Sequence, residues 1–316
     1  MQNKSQALRD KMGDELFLTD GGLETVMVFH FGFELPQFAS FTMLDDEAGQ
    51  ALLGTYYNDF LDEAAKQRAG FVLDTATWRA SAGWGQVMGL EAAQIDAVNR
   101  KAVAVVQALK TERGKVGQTV LSNGVIGPHC DAYAPDLVLS AQAAQDYHQR
   151  QVDVLASAGV DLISAMTISS HGEAIGVARA AMAVDQPVAL SFTLETDGRL
   201  ISGMTLADAI HRTDDATGGA PVWYGINCAH PDHFRNILVG DWVARIGSVR
   251  ANASRLSHAE LDEATVLDAG NPAELARDYH HLLHILPGLR VVGGCCGTDL
   301  RHVAAIGRSC LHHHPH

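Results

Sequence analysis

The chain has 316 residues, with 37 acidic side chains against 23 Lys and Arg and a formal net charge of -14. That balance, with no dense basic stripe, argues against nucleic acid or an anionic membrane surface as a partner. Hydrophobic residues make up 47% of the chain, enough for a large core, yet no run approaches the roughly 20 apolar residues that span a bilayer.

Met1 to Asp14 mixes charges early and lacks an apolar signal core, so the expected location is cytoplasmic. The cysteines are Cys130, Cys228, Cys295, Cys296 and Cys310, an odd set unlike a secreted disulfide framework. The segment 310–316, with His312, His313, His314 and His316, is read as a tail outside the fold.

Leu16 to Asp20 is an apolar run ending in a carboxylate and followed by Gly21-Gly22, which predicts a buried strand and a tight loop. Glu24 to Phe41, broken by Gly32 and Pro36, reads as a long loop over a site. Leu53, Tyr56, Tyr57, Phe60, Leu61 and Ala64 then fall on one helical face. Gly70 to Thr75 is the second strand, with Thr77-Trp78-Arg79 just beyond it, and Ile95 to Leu109 carries the clearest helical stripe.

The remaining strands are predicted at Thr119–Ser122, Val160–Met166, Pro187–Phe192, Pro221–Asn227, Ser248–Asn252 and Arg290–Val292. The helices between them are expected near 140–158, 172–183, 206–212, 272–286 and 300–309. Apolar strands alternating with amphipathic helices indicate a parallel sheet covered by helices. Eight such units without a linker predict an α/β fold of a single domain, a (β/α)8 TIM barrel. An open doubly wound sheet is disfavoured, because Asp20-Gly21-Gly22-Leu23 lacks its glycine fingerprint.

In a barrel, the loops that follow the strands gather at one face. Asp20, Thr75 to Arg79, Asn123, Met166, Cys228 and Cys295-Cys296 then surround one mouth. Cys228 follows strand six and the cysteine pair follows strand eight, within Gly293-Gly294-Cys295-Cys296-Gly297-Thr298. Three thiolates with an open fourth position form a catalytic zinc pattern, and sulfur favours zinc over magnesium or calcium. Adjacent cysteines both ligate only if the backbone bends sharply, a freedom that the flanking glycines supply. Cys130 and Cys310 read as core residues, with Cys130 near enough to the mouth to be weighed as an accessory ligand. Three thiolates leave a zinc centre negative, unsuited to generating hydroxide and suited to holding a fourth sulfur as a nucleophilic thiolate.

These motifs, with Gly225-Ile226-Asn227-Cys228 and Thr19-Asp20-Gly21-Gly22, resemble the homocysteine S-methyltransferase family over about Glu15 to Arg308. The resemblance implies a barrel, a Zn2+ held by Cys228, Cys295 and Cys296, and a homocysteine sulfur completing the tetrahedron. It also implies that Asp20, with the Gly21 turn, holds the amino-acid part of that substrate. Thr75 and Trp78 lie where the family places residues near the methyl donor, and the Trp78 ring would meet a sulfonium or ammonium group through its π face. Asn227 would orient a ligand or satisfy the backbone. The family's glutamate at the end of strand four is replaced by Met166, so either Glu173 or Glu195 accepts the ammonium or the acceptor is a different thiol.

The sequence therefore predicts an enzyme taking two small molecules, a thiol acceptor and a sulfonium or quaternary ammonium methyl donor. No catalytic group beyond the metal site is required. The rival readings are a redox sensor using a vicinal Cys295-Cys296 pair and a zinc hydrolase, the latter lacking a His ligand pair at strand ends. The oligomeric state, a homo-oligomer included, is left open.

Overall fold

Eight short parallel strands hydrogen-bond in sequence order and close on themselves. They are β1 (Phe17–Leu18), β2 (Gly70–Asp74), β3 (Val120–Ile126), β4 (Leu162–Ile168), β5 (Val188–Phe192), β6 (Trp223–Asn227), β7 (Ile246–Ala251) and β8 (Val291–Gly294). Closure comes from Phe17 and Leu18 pairing in register with Val291 and Val292. This computed structural model describes residues 3–133 and 138–311. The tail residues 312–316 lie outside the described residues, whereas Cys310 and Leu311 end the last helix.

The helices, in chain order, are α1 (Lys4–Met12), α2 (Leu23–Phe31), α3 (Glu47–Lys66), α4 (Ala82–Val87), α5 (Ala92–Gly114) and α6 (Ala141–Ser157). They continue as α7 (His171–Ala183), α8 (Leu206–Thr217), α9 (Pro231–Phe234), α10 (His258–Asp262), α11 (Pro272–Ile285) and α12 (Leu300–Leu311). Side-chain caps fix several starts. Asp46, Ser140, Ser170, Thr205 and Asn271 each accept a backbone N–H from the first turn, and Pro272 occupies the first position of α11. Among the described residues, no helix is long and apolar enough to cross a membrane.

The predicted strands and main helices are present, with three differences. The segment expected as a loop from Glu24 to Phe41 begins with α2, which stops where Gly32 takes a left-handed φ of 64°. Its Val- and Phe-rich run carries no helical stripe, which hid the helix from a periodicity reading. The N-terminus forms α1, capped by Asn3. Its Leu8 and Met12 pack with Phe17, Val72, Leu121, Leu162, Ala189 and Val291, closing the barrel end opposite the mouth. Between β6 and β7 there is only the single turn of α9 with two 3-10 turns, not a full covering helix.

Midway up the barrel the interior narrows to small residues. Gly225 sits in register between Ser191 of β5 and Ser248 of β7. A Cβ at Gly225 would collide with both serine hydroxyls. Gly225→Val is therefore expected to destabilise the barrel by about 3 kcal/mol or more, as overpacking of a closed interior. A urea midpoint equal to that of the wild type would show that the interior can yield.

Candidate active site

The three cysteines meet at the mouth. The sulfurs of Cys228, Cys295 and Cys296 all lie within 4.8 Å of one another. Those of Cys228 and Cys295 are in bonding contact, with their Cα atoms 5.4 Å apart. Zinc–thiolate bonds of about 2.3 Å place tetrahedral sulfurs about 3.8 Å apart, so the cluster has the scale of a metal site. The contact joins β6 to β8 and does not pair the vicinal Cys295 and Cys296.

The backbone is built to aim these sulfurs. Cys228 has a φ of 54°, a left-handed conformation rare for a residue with a side chain. Its carbonyl accepts from His258 Nε2 at 2.7 Å and from Asn252 Nδ2 at 3.1 Å, which holds the strained peptide. Asn227 Nδ2 donates to Cys228 Sγ at 3.2 Å and to Thr167 Oγ1 at 2.9 Å. Asn227 Oδ1 accepts from Thr167 N–H at 2.8 Å, so this side chain both orients a sulfur and satisfies backbone. On β8, Cys295 N–H donates to Ala251, Gly294 N–H to Asp20, and Ala253 N–H to Cys296. Gly297 turns with a φ of 77°, and its N–H donates to Thr25 Oγ1 at 3.2 Å.

Burial, assisted by the negative charge of Glu24, pushes the Cys296 thiol up to about 12. A thiol so placed keeps its proton at neutral pH unless a cation takes that place. The chemistry of the donor set, three sulfurs with amide N–H support and no competing His ligand in the cluster, fits a thiophilic metal.

Below the cysteines lies a buried ion cluster. Arg250 of β7 pairs with both Asp20 and Asp74, and its Nε donates to Gly294 O at 3.1 Å. Asp74 also accepts from Asn123 Nδ2 at 2.7 Å, and Asp20 from Tyr56 Oη at 3.1 Å and Thr19 Oγ1 at 3.4 Å. Burial raises Asp20, to about 7, against the opposing pull of Arg250.

The model of the homocysteine S-methyltransferase family matches residues 17–310, nearly the whole chain. The chain belongs to the homocysteine S-methyltransferase family. It is a homocysteine S-methyltransferase-like enzyme, with a cysteine cluster where the barrel loops converge. It is 28% identical over 257 residues to a homocysteine S-methyltransferase of Escherichia coli K12, covering 73% of this chain and 77% of that one. The fold is shared with the homocysteine methyltransferase MmuM of Escherichia coli. The oxidized form matches with a TM-score of 0.74 at 24% identity, covering 97% of this chain and 99% of that one. The metallated form matches with a TM-score of 0.71 at 24% identity over the same shares of the two chains. A methyltransferase from Methanosarcina mazei, 14% identical, shares the fold with a TM-score of 0.52 over 98% of each chain.

Within this family member, the other sequence-predicted positions separate by role. Gly21 is a packing position, because a Cβ there would strike the Thr298 carbonyl at 2.7 Å. Thr75 is buried, with its hydroxyl 2.6 Å from Thr77 Oγ1 and accepting Val125 N–H at 3.0 Å, so it ties β2 to β3. Met166 is half-buried in β4. The ring of Trp78 lies against the guanidinium of Arg79 at 4.3 Å. Cys130 stands outside the metal-scale cluster and bonds weakly to the Asp131 carbonyl at 3.5 Å.

The two candidates to replace the glutamate missing at Met166 are both engaged. Glu173 is buried, and its Oε1 accepts from His129 N–H at 2.8 Å and lies 3.1 Å from His129 Nδ1 and 2.9 Å from His148 Nε2. Against a burial that would raise it, the hydrogen bonds from His129 and His148 hold Glu173 down at about 2. Glu195 lies 3.3 Å from His258 Nδ1. Sequence reasoning passed over Arg250, Glu24, Thr167 and His258. Arg250 alone left a signal, as a cation within an otherwise apolar strand.

Replacing Arg250 by Met would strand two buried carboxylates, and a loss of about 3–5 kcal/mol is expected. Adding Asp20→Asn and Asp74→Asn should restore part of it in chemical denaturation, and no recovery would remove charge pairing as the cause. Glu173 has a depressed pKa, so its contribution is full above the unfolded carboxyl value and is lost as pH falls from about 4.5 to 2. The stability gap between wild type and Glu173→Gln should therefore be about 2 kcal/mol near pH 6 and close toward pH 2. A gap independent of pH would contradict this.

Proposed function

We propose that the protein methylates homocysteine or a related thiol, using a small sulfonium or quaternary ammonium donor, with zinc held by Cys228, Cys295 and Cys296. The observation that carries the reading is the convergence of these three sulfurs at the barrel mouth, on a scale that suits zinc. Zinc bound there supplies stabilisation of an incoming thiol as its thiolate at neutral pH.

The chain's own residues provide orientation. Asn227 fixes the Cys228 sulfur through its amide N–H and is itself fixed by Thr167. His258 and Asn252 hold the Cys228 carbonyl and with it the turn that presents the sulfur. Asp20 is matched by Arg250 and Tyr56, so it shapes the floor of the acceptor pocket as part of a neutralised pair. Gly21 permits the close approach of the first loop to Thr298. In this reading Met166 and Trp78 would stand as wall, with Thr75 tying β2 to β3 behind them. Holding acceptor and donor in line converts a bimolecular encounter into a positioned one, the larger part of what such a site contributes. The thiol chemistry belongs in a reducing, cytoplasmic setting.

Cys295→Ala, and likewise Cys228→Ala or Cys296→Ala, should lose stoichiometric zinc and at least about 1000-fold in methyl transfer, because the substrate thiol is no longer activated as its thiolate. The test combines metal analysis of freshly reduced protein with transfer assays of homocysteine against S-methylmethionine, S-adenosylmethionine, betaine and dimethylsulfoniopropionate. Full transfer by a metal-free Cys295→Ala protein would sink the reading. A wild type without metal and with a reversible disulfide would favour a thiol sensor.

A further inference from the structure

Arg79 is a buried cation with unpartnered N–H groups. It lies beyond the C-terminal end of β2, on the mouth side of the barrel, and is only 9% exposed. Its guanidinium is held between two indoles, 4.3 Å from the Trp78 ring and 3.6 Å from the Trp84 ring. Trp84 is itself anchored, since its Nε1 donates to the Pro128 carbonyl at 3.2 Å. Gly127 leaves the room that Trp78 occupies, as a Cβ there would meet the Trp78 carbonyl and ring.

Within that clamp, Nε and Nη1 of Arg79 are buried and donate to nothing among the described residues. A buried cation with open N–H donors is costly, because each unsatisfied group has given up its water without a replacement. The carboxylates of Asp131 and Glu24 act on it electrostatically without partnering Nε or Nη1. Glu24 also acts on Cys296, so Arg79 and the cysteine cluster both feel the charge of one carboxylate. Arginine stacked between aromatic rings keeps its charge and presents its edges in a fixed plane, which suits a planar anion.

We infer that Arg79, clamped between Trp78 and Trp84, receives a carboxylate of a substrate and so sets the specificity of the site. This rests on the methyl-transfer reading for the identity of the substrates. Either the acceptor or the donor would carry the group. The inference also accounts for the other charges of the mouth. Asp20 is already neutralised by Arg250, and Glu173 and Glu195 are held by histidines. Arg79 is then the buried cation near the mouth whose N–H groups are open, with the carboxylates of Glu24 and Asp131 acting on it from a distance, and it selects for negative charge on the ligand.

The test is calorimetric titration of the zinc-loaded protein with two matched pairs. Homocysteine is compared with 3-aminopropane-1-thiol, and S-methylmethionine with (3-aminopropyl)dimethylsulfonium, each partner lacking only the carboxylate. The wild type should bind the carboxylate member of one pair about 10- to 100-fold more tightly. The pair that shows the preference assigns the carboxylate to acceptor or donor. Arg79→Gln should abolish that preference by weakening the carboxylate member alone, and Arg79→Lys should restore only part of it. In turnover, the same change should raise KM for the carboxylate substrate more than it lowers kcat. Absence of a preference in both pairs overturns the inference, and this arm needs no variant to fold. So does an Arg79→Gln protein that keeps the preference or weakens both members equally. If binding shows the preference but no donor supports transfer, the methyl-transfer reading fails and the role of Arg79 stands.

Discussion

The pairing of Arg250 with Asp20 and Asp74 is the interaction on which the mouth of this barrel depends. One guanidinium gathers carboxylates from the ends of β1 and β2, and its Nε also caps the Gly294 carbonyl on β8. Four strands are thereby locked by one side chain, at the level from which the cysteine-bearing turns depart. A buried ion pair adds little net stability compared with apolar packing, but it is unforgiving of the loss of one partner. Its value here is geometric, because it fixes where the loops begin.

Fold and site were legible to different depths. The strand ends and the Gly293–Thr298 turn were readable because their signals are local: short apolar runs, glycine pairs and adjacent thiols. The convergence of Cys228 with Cys295 and Cys296 followed once eight alternating units implied closure, since closure alone brings distant strand ends together. The α2 helix was hidden because its apolar residues run on from the buried first turns to the exposed Phe29 and Phe31, leaving no polar stripe to mark a helical period. The partners of Glu173 were also hidden. Nothing in the spacing of His129, His148 and Glu173 announces that all three meet, because they come from the loop after β3, from α6 and from α7.

The electrostatics of the site divide into closed and open parts. The closed parts are the Asp20–Arg250–Asp74 cluster and the Glu173–histidine cluster, in which each carboxylate has a partner within the chain, Arg250 serving two. The open parts are the thiols and the Arg79 guanidinium. In a low-dielectric cavity, recognition passes to whatever the fold leaves unsatisfied, since satisfied groups have little left to offer a ligand. Family membership therefore describes the sulfur chemistry of this mouth more fully than it describes the selectivity.

The left-handed backbone at Cys228 has a further consequence. A strand normally sends successive side chains to opposite faces. The positive φ interrupts that alternation just past β6, so that Asn227 and Cys228, neighbours in the chain, address one point. Thr167, following Met166 with a φ of 61°, makes the same break on β4 and meets them there. A glycine would take either conformation without strain, so the backbone and the chemistry ask for different residues at these two positions. The barrel thus carries its functional density in the places where it stops behaving as a regular sheet.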